Sequence, residues 1–271
     1  MTYSTGLVRE RPLVRAAHLA RGHSFGAAIF PDSFLRPTSF LNQGPWPVCF
    51  AAAQISWLTA QRPASAPLLD IMDLARECWR LDGNLPSPNA VGSTVTTAIT
   101  VIQTRGVCHA RSDELTNLAE QSIEDLDAVV QAPDARYPAL EHYAIDPESA
   151  DLETHIKSAL LQGFDVPWGT PTTAALQTLT PNAVAGVDCF SGDADGHMPR
   201  IVGWYVVNGV TYWVVQNWWL GWGGCAMFRA GATIPGAFIA TTDDLRLAWS
   251  LDAIRIPRGQ IDVRPLDSDA R

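Results

Sequence analysis

Residues 201–207 and 210–217 are two runs rich in β-branched and aromatic side chains, and only Asn208-Gly209 separates them. Asn-Gly between two such runs is the strongest short-range hairpin signal, because both turn positions need positive φ. Pro199 removes a ladder donor, so the first strand is expected to begin after it. Antiparallel pairing then returns Asn217 to within a few residues of His197. The register stays open at this stage, and a bulge near the open end is one way to align the two side chains. A histidine beside an amide is a recognisable pair in nucleophilic catalysis, with the imidazole taking a proton and the amide fixing its orientation.

A candidate nucleophile lies in the first quarter of the chain. Phe50, Ala53, Trp57 and Leu58 recur at helical spacing. One face of a helix starting near Cys49 is therefore expected to point into a core. Pro47 lies just upstream, where helix starts tolerate proline. A thiol at a helix N-terminus meets the positive end of the macrodipole, which favours the thiolate.

The segment Gln43-Gly44-Pro45-Trp46-Pro47-Val48-Cys49-Phe50-Ala51 resembles the Gln-Gly-x-Cys-Gly-Ser-Cys-Trp-Ala motif of papain-like cysteine peptidases at Gln43, Gly44, Cys49 and Ala51. The segment around His197, Gly203-Trp204, Asn217, Trp219 and Trp222-Gly223 resembles that family's His-Ala…Val-Gly-Tyr…Asn-Ser-Trp-Gly-x-x-Trp-Gly. Gly92, the helical run 95–102 and Arg105-Gly106-Val107-Cys108 resemble a third family segment. The likeness spans about residues 35 to 257 and is thin between 110 and 160.

The resemblance implies an α+β, papain-like two-lobe fold, with a helical lobe packed on a β-rich, barrel-like lobe and the site in the cleft. It implies a thiol-dependent hydrolase that cleaves a peptide or other amide bond through Cys49, His197 and Asn217. Gln43 and the Cys49 N–H would donate to the oxyanion, and Trp219 would shield the histidine–asparagine bond. Backbone near Gly92 would bind substrate main chain. No cofactor and no metal are implied.

Several positions depart from the family. Trp46 replaces a cysteine, and Pro47-Val48 replaces Gly-Ser before the nucleophile. Trp218 and Leu220 replace a small serine and glycine around Trp219, and Trp222 falls one residue early. These bulky replacements motivate an alternative expectation: a non-catalytic papain-like structural or binding subunit of a larger assembly, such as a phage particle.

The organisation expected is an N-terminal arm over 1–38, a helical lobe over 39–150, a β-rich lobe over 151–257 and a polar tail over 258–271. The arm carries Arg9, Arg11, Arg15 and Arg21. It reads as a docking arm, a short pro-segment or a strand-forming extension of the core. Gly22-His23-Ser24-Phe25-Gly26 fits Gly-x-Ser-x-Gly, but the buried strand which that nucleophile elbow needs does not precede it. Net charge is −9, which argues against a nucleic-acid partner. No run is long and apolar enough to span a membrane. The five cysteines lack any Cys-x-x-Cys pair, so a zinc site is not expected, and no signal peptide is seen. A reduced, cytoplasmic setting is the default expectation, with virion association or signal-less export as alternatives.

Overall fold

The structure is a computed structural model of the 271-residue chain, and it describes residues 7–8, 29–36, 41–44, 46–83, 92–110, 135–191, 195–219, 222, 226–227, 233–257 and 262–263. The Gly-x-Ser-x-Gly segment, Arg9, Arg11, Arg15 and Arg21 of the arm, Leu220, Gly223 and Cys225 lie outside the described residues. So does most of the polar tail.

Among the described residues, three helices build one lobe. Helix α1 is Cys49–Gln61, α2 is Ile71–Leu81 and α3 is Val95–Thr104. Asp70 caps α2 by accepting from the Met72 and Asp73 N–H groups, and Thr94 caps α3 by accepting from Thr97 N–H. These are ordinary N-caps that satisfy orphan donors of the first turn. Val48 precedes α1 and provides no side-chain cap. Cys49 through Leu58 are all buried, so α1 is enclosed on every side and not along one face only. A helix that is apolar all round belongs in the interior.

The second lobe is an eight-stranded antiparallel sheet. Its strands are β1 (Ser33–Leu35), β3 (Glu141–Ala144), β4 (Val166–Thr172), β5 (Asp195–His197), β6 (Arg200–Val207), β7 (Val210–Gln216), β10 (Ala237–Thr241) and β11 (Ser250–Arg255). The main path runs β10-β7-β6-β4-β11-β3, with β1 paired to β6 and β5 to β4. Two short pairs stand apart, β2 (Ala135–Arg136) with β12 (Asp262–Val263), and β8 (Ala226–Met227) with β9 (Thr233–Ile234). Helix α4 (Leu152–Leu161) packs on β4 and β6, while α5 (Ala174–Gln177) and α6 (Thr242–Leu245) are single turns.

The expected barrel is corrected to an open sheet, since β10 and β3 end the path without meeting. The lobe boundary moves as well. Residues 141–144, expected in the helical lobe, pair with β11, and residues 33–35 of the arm pair with β6. Phe34 stacks on Trp204 at 4.9 Å, and the Trp204 indole donates to the Pro31 carbonyl at 3.1 Å. Burial of these aromatic faces is what draws the end of the arm into the sheet.

The predicted hairpin is β6–β7. Asn208 and Gly209 have φ of 52° and 79°, the left-handed pair that a type I′ turn requires. The register shifts between Ile201 and Gly203, which makes Val202 a bulge near the open end.

The lobes meet through polar ties as well as apolar surface. On the sheet side, buried Arg200 braces Asp165 by donating to it at 3.2 Å, and it donates to Gln216 at 3.1 Å. Gln61, the last residue of α1, donates to Asp165 at 2.6 Å and accepts from the Ile256 N–H at 2.7 Å. The C-terminal end of α1 is thereby fixed to the sheet, while its N-terminal end carries Cys49.

Candidate active site

Cys49 is the first residue of α1 and has no exposed surface. The loop before it is tightly knitted. Asn42 Oδ1 accepts from Gly44 N–H at 3.0 Å, the Gln43 amide donates to the Trp46 carbonyl at 3.0 Å, and Val48 N–H donates to the same carbonyl at 2.9 Å. The Gln43 side chain, expected to face an oxyanion, thus places one donor on its own loop.

His197 ends β5, and its backbone pairs with Thr170 of β4. Its Nε2 lies 2.7 Å from Asn217 Oδ1, just past the end of β7. Trp218 N–H donates to the same Oδ1 at 2.8 Å. An N–H can point only at the carbonyl side of an amide, so this bond fixes the orientation of Asn217. Because Oδ1 only accepts, Nε2 carries the proton of the neutral ring. Nδ1 is then the accepting nitrogen, and although buried it has no hydrogen-bond partner among the described residues. Trp219 stacks on the imidazole at 4.5 Å and 25°, and Trp222 stands edge-on to Trp219 at 5.5 Å. Desolvation pushes the His197 pKa down from 6.5 to about 4, opposed only in part by the bond to Asn217.

The structure thus brings His197, Asn217 and Trp219 together, while Cys49 starts α1 and Gln43 lies in the loop before it. That loop and the asparagine segment are directly joined, because Gln43 N–H donates to the Trp218 carbonyl at 3.0 Å. Cys49, Gln43, His197 and Asn217 all have no exposed surface. All four side chains of the expected site are covered in this structure.

Gly92 is buried beside Ser93, and the arm reaches this same place. Leu7 N–H donates to the Gly196 carbonyl at 3.0 Å, and Val8 N–H donates to the Ser93 carbonyl at 3.0 Å. The bridge is antiparallel to Gly196 and parallel to Ser93. The Leu7 side chain lies against Gly169, where a Cβ would sit 2.8 Å from Cδ2. Any Cβ on Gly196 would collide with the Leu7 carbonyl, so the close approach needs glycine there. Sequence reading missed this contact. Neither Leu7 nor Gly196 carries a local signal for it.

Cys49, Cys78, Cys108 and Cys189 are buried and form no disulfide. Burial, with Asp73 adding to it, pushes the Cys108 thiol up to about 12, and burial raises Cys78 and Cys189 as well. Among the described residues no group of three or more His, Cys, Asp or Glu side chains is placed to hold a metal ion, and no helix is long and apolar enough to cross a membrane.

No protein-family model matches the chain, and no curated protein does. Solved structures do. Xylellain, a cysteine protease from Xylella fastidiosa, superposes with a TM-score of 0.64 at 14% identity, covering 94% of this chain and 97% of its own. Digestive procathepsin L2 from the larval midgut of Tenebrio molitor gives 0.65 at 15%, covering 93% and 78%. Procathepsin B S9 from Trypanosoma congolense gives 0.58 at 14%, covering 92% and 82%. The chain has the papain-like fold.

Proposed function

We propose that the protein is a cysteine peptidase-like hydrolase acting on a peptide or other amide bond. The observation that carries this reading is the buried His197–Asn217 pair under Trp219, with Nδ1 of the imidazole left as an unpartnered acceptor. In the reaction, the Cys49 thiol gives its proton to His197 Nδ1, and the sulfur attacks the carbonyl carbon. The oxyanion is met by the N–H of Cys49 and by the Gln43 amide. His197 returns the proton to the leaving amine. Water then attacks the thioester with His197 as its base, freeing the acid and the thiol.

The start of α1 favours this role. Of the three main helices in its lobe, α2 and α3 have side-chain caps and α1 has none, with no acidic residue in its first turn. A missing cap costs about 1 kcal/mol of helix stability. It also leaves the positive end of the dipole facing Cys49 instead of a capping carboxylate.

A second reading is favoured by closure: all four reacting or donating side chains are fully covered. It takes the chain as a non-catalytic papain-like subunit. The arm decides between the two. Leu7–Val8 lies along the backbone groove at Ser93 and Gly196 that substrate main chain would use, which fits a short pro-segment. Under the catalytic reading, Leu7→Asp opens this groove. An epoxysuccinyl-type thiol inhibitor, mapped by mass spectrometry, should then label Cys49 faster than in the parent chain and ahead of Cys78, Cys108 and Cys189. Cys49 unlabelled in both proteins, with Leu7→Asp still folded, rejects catalysis and leaves the subunit reading.

A further inference from the structure

Trp218 stands where the resembling family has a small serine, and its size is not the only consequence. Two polar groups of this one residue reach other segments of the site, and a third holds the side chain of the residue before it. Its N–H donates to Asn217 Oδ1 at 2.8 Å, the oxygen that also receives His197 Nε2–H. Its carbonyl accepts from the Gln43 N–H at 3.0 Å. Its indole N–H donates to the carbonyl of Met198, the residue after His197, at 2.8 Å. The ring has no exposed surface and packs in the helical-lobe core with Val48, Cys49, Phe50 and Met198. The adjacent Trp219 packs in the other core.

We infer that Trp218 is a positioning residue that ties the histidine, asparagine and nucleophile segments into one unit, with its indole N–H holding the Met198 carbonyl. The inference rests on the catalytic reading above for its consequence, and on geometry alone for the tie itself. The Met198 side is braced again from α1. Gln54 donates to the Met198 sulfur at 3.5 Å, and Gln54 in turn accepts from the Trp57 indole. His197 is therefore flanked by a residue gripped at both its carbonyl and its sulfur. Deleting the indole donor leaves a buried carbonyl unsatisfied, and buried polar groups without partners drive local rearrangement. That rearrangement falls on the bond between His197 Nε2–H and Asn217.

The test replaces Trp218 with Phe and, separately, with benzothienylalanine, which keeps the indole shape and loses only the N–H. Trp213→Phe is the control, since it removes a buried indole donor to Thr242 Oγ1 in the sheet lobe. In full-length protein with ¹⁵N-labelled histidine, NMR reads the His197 tautomer and the exchange rate of Nε2–H. Either change at position 218 should speed that exchange about tenfold, the size expected for loss of one buried hydrogen bond, and Trp213→Phe should leave it alone. On a peptide substrate, kcat should fall about tenfold with KM nearly unchanged, because alignment and not binding is lost. Unchanged exchange in the benzothienylalanine protein overturns the tie. Faster exchange in a chain that turns over no substrate keeps the tie and rejects only the catalytic reading.

Discussion

Cys49 and His197 are equally buried, yet different forces hold them. His197 is held by directional contacts: a strand pairing with Thr170, a 2.7 Å bond to Asn217 and a stacked Trp219. Cys49 sits at the end of a helix whose first ten residues are all buried and whose start lacks a side-chain cap. Apolar packing surrounds Cys49, and hydrogen bonds hold His197. Packing is strong but non-directional, whereas hydrogen bonds add little net stability and fix angles closely. A nucleophile needs a field and an approach path. A base needs an orientation.

Cavity formation in the packed half should have the largest effect on stability. Phe50 is completely buried and meets Trp79 edge-on at 6.5 Å. Phe50→Ala should cost about 3–5 kcal/mol in denaturant unfolding. A cost under about 1 kcal/mol would show that packing does not hold the start of α1.

Acid should act next, and on the other half. His197 titrates near 4 in the folded chain and near 6.5 when unfolded. Between those values the unfolded chain binds the extra proton, so stability falls as pH drops from about 6.5 to about 4 and then levels off. The 2.5-unit gap corresponds to about 3 kcal/mol. Unfolding free energies measured across this window, compared with those of His197→Gln, isolate the contribution. Equal pH slopes in the two proteins would contradict the burial assigned to the imidazole.

The smallest stability change should come from Asn217→Ala. Removing one partner of a hydrogen bond typically costs about 1–3 kcal/mol when a buried group is left unsatisfied, so the loss should stay below that of Phe50→Ala. Under the catalytic reading the reaction should suffer more than the fold, with measurable turnover remaining if Asn217 only orients His197. Abolition of all activity, at the level of Cys49→Ala, would give Asn217 a larger role than orientation.

What the sequence made legible was local. Asn208-Gly209 announced its hairpin through turn chemistry, Pro199 marked the strand start, and the apolar spacing after Cys49 marked α1. What stayed hidden was long-range. Residues 141–144 pair with a strand more than 100 residues away, and nothing in Glu-His-Tyr-Ala points to that partner. The spacing of Phe50, Ala53, Trp57 and Leu58 suggested a one-sided helix, because Ala51, Ala52, Gln54 and Ser56 are small or polar and gave no sign of burial. Trp218 read as bulk in the sequence, and Gln54 carried no signal there. Only three-dimensional placement made them hydrogen-bond donors to residue 198. The contact of two arm residues with Ser93 and Gly196 was equally invisible, since it joins positions far apart in the chain.

The backbone bonds of Leu7 and Val8 also set a competition. A segment tethered to its own groove acts at an effective concentration, on the order of millimolar for a short linker, however dilute the protein is. Under the pro-segment reading, a free peptide would have to outcompete that internal strand, so its apparent Kd would be its intrinsic value divided by the fraction of chains with the groove vacant. Weak ligands are therefore screened out, and diluting the protein does not relieve the screen. Only cutting or displacing the tether changes the threshold, which makes the covalent continuity of the arm a setting for how selective the groove is.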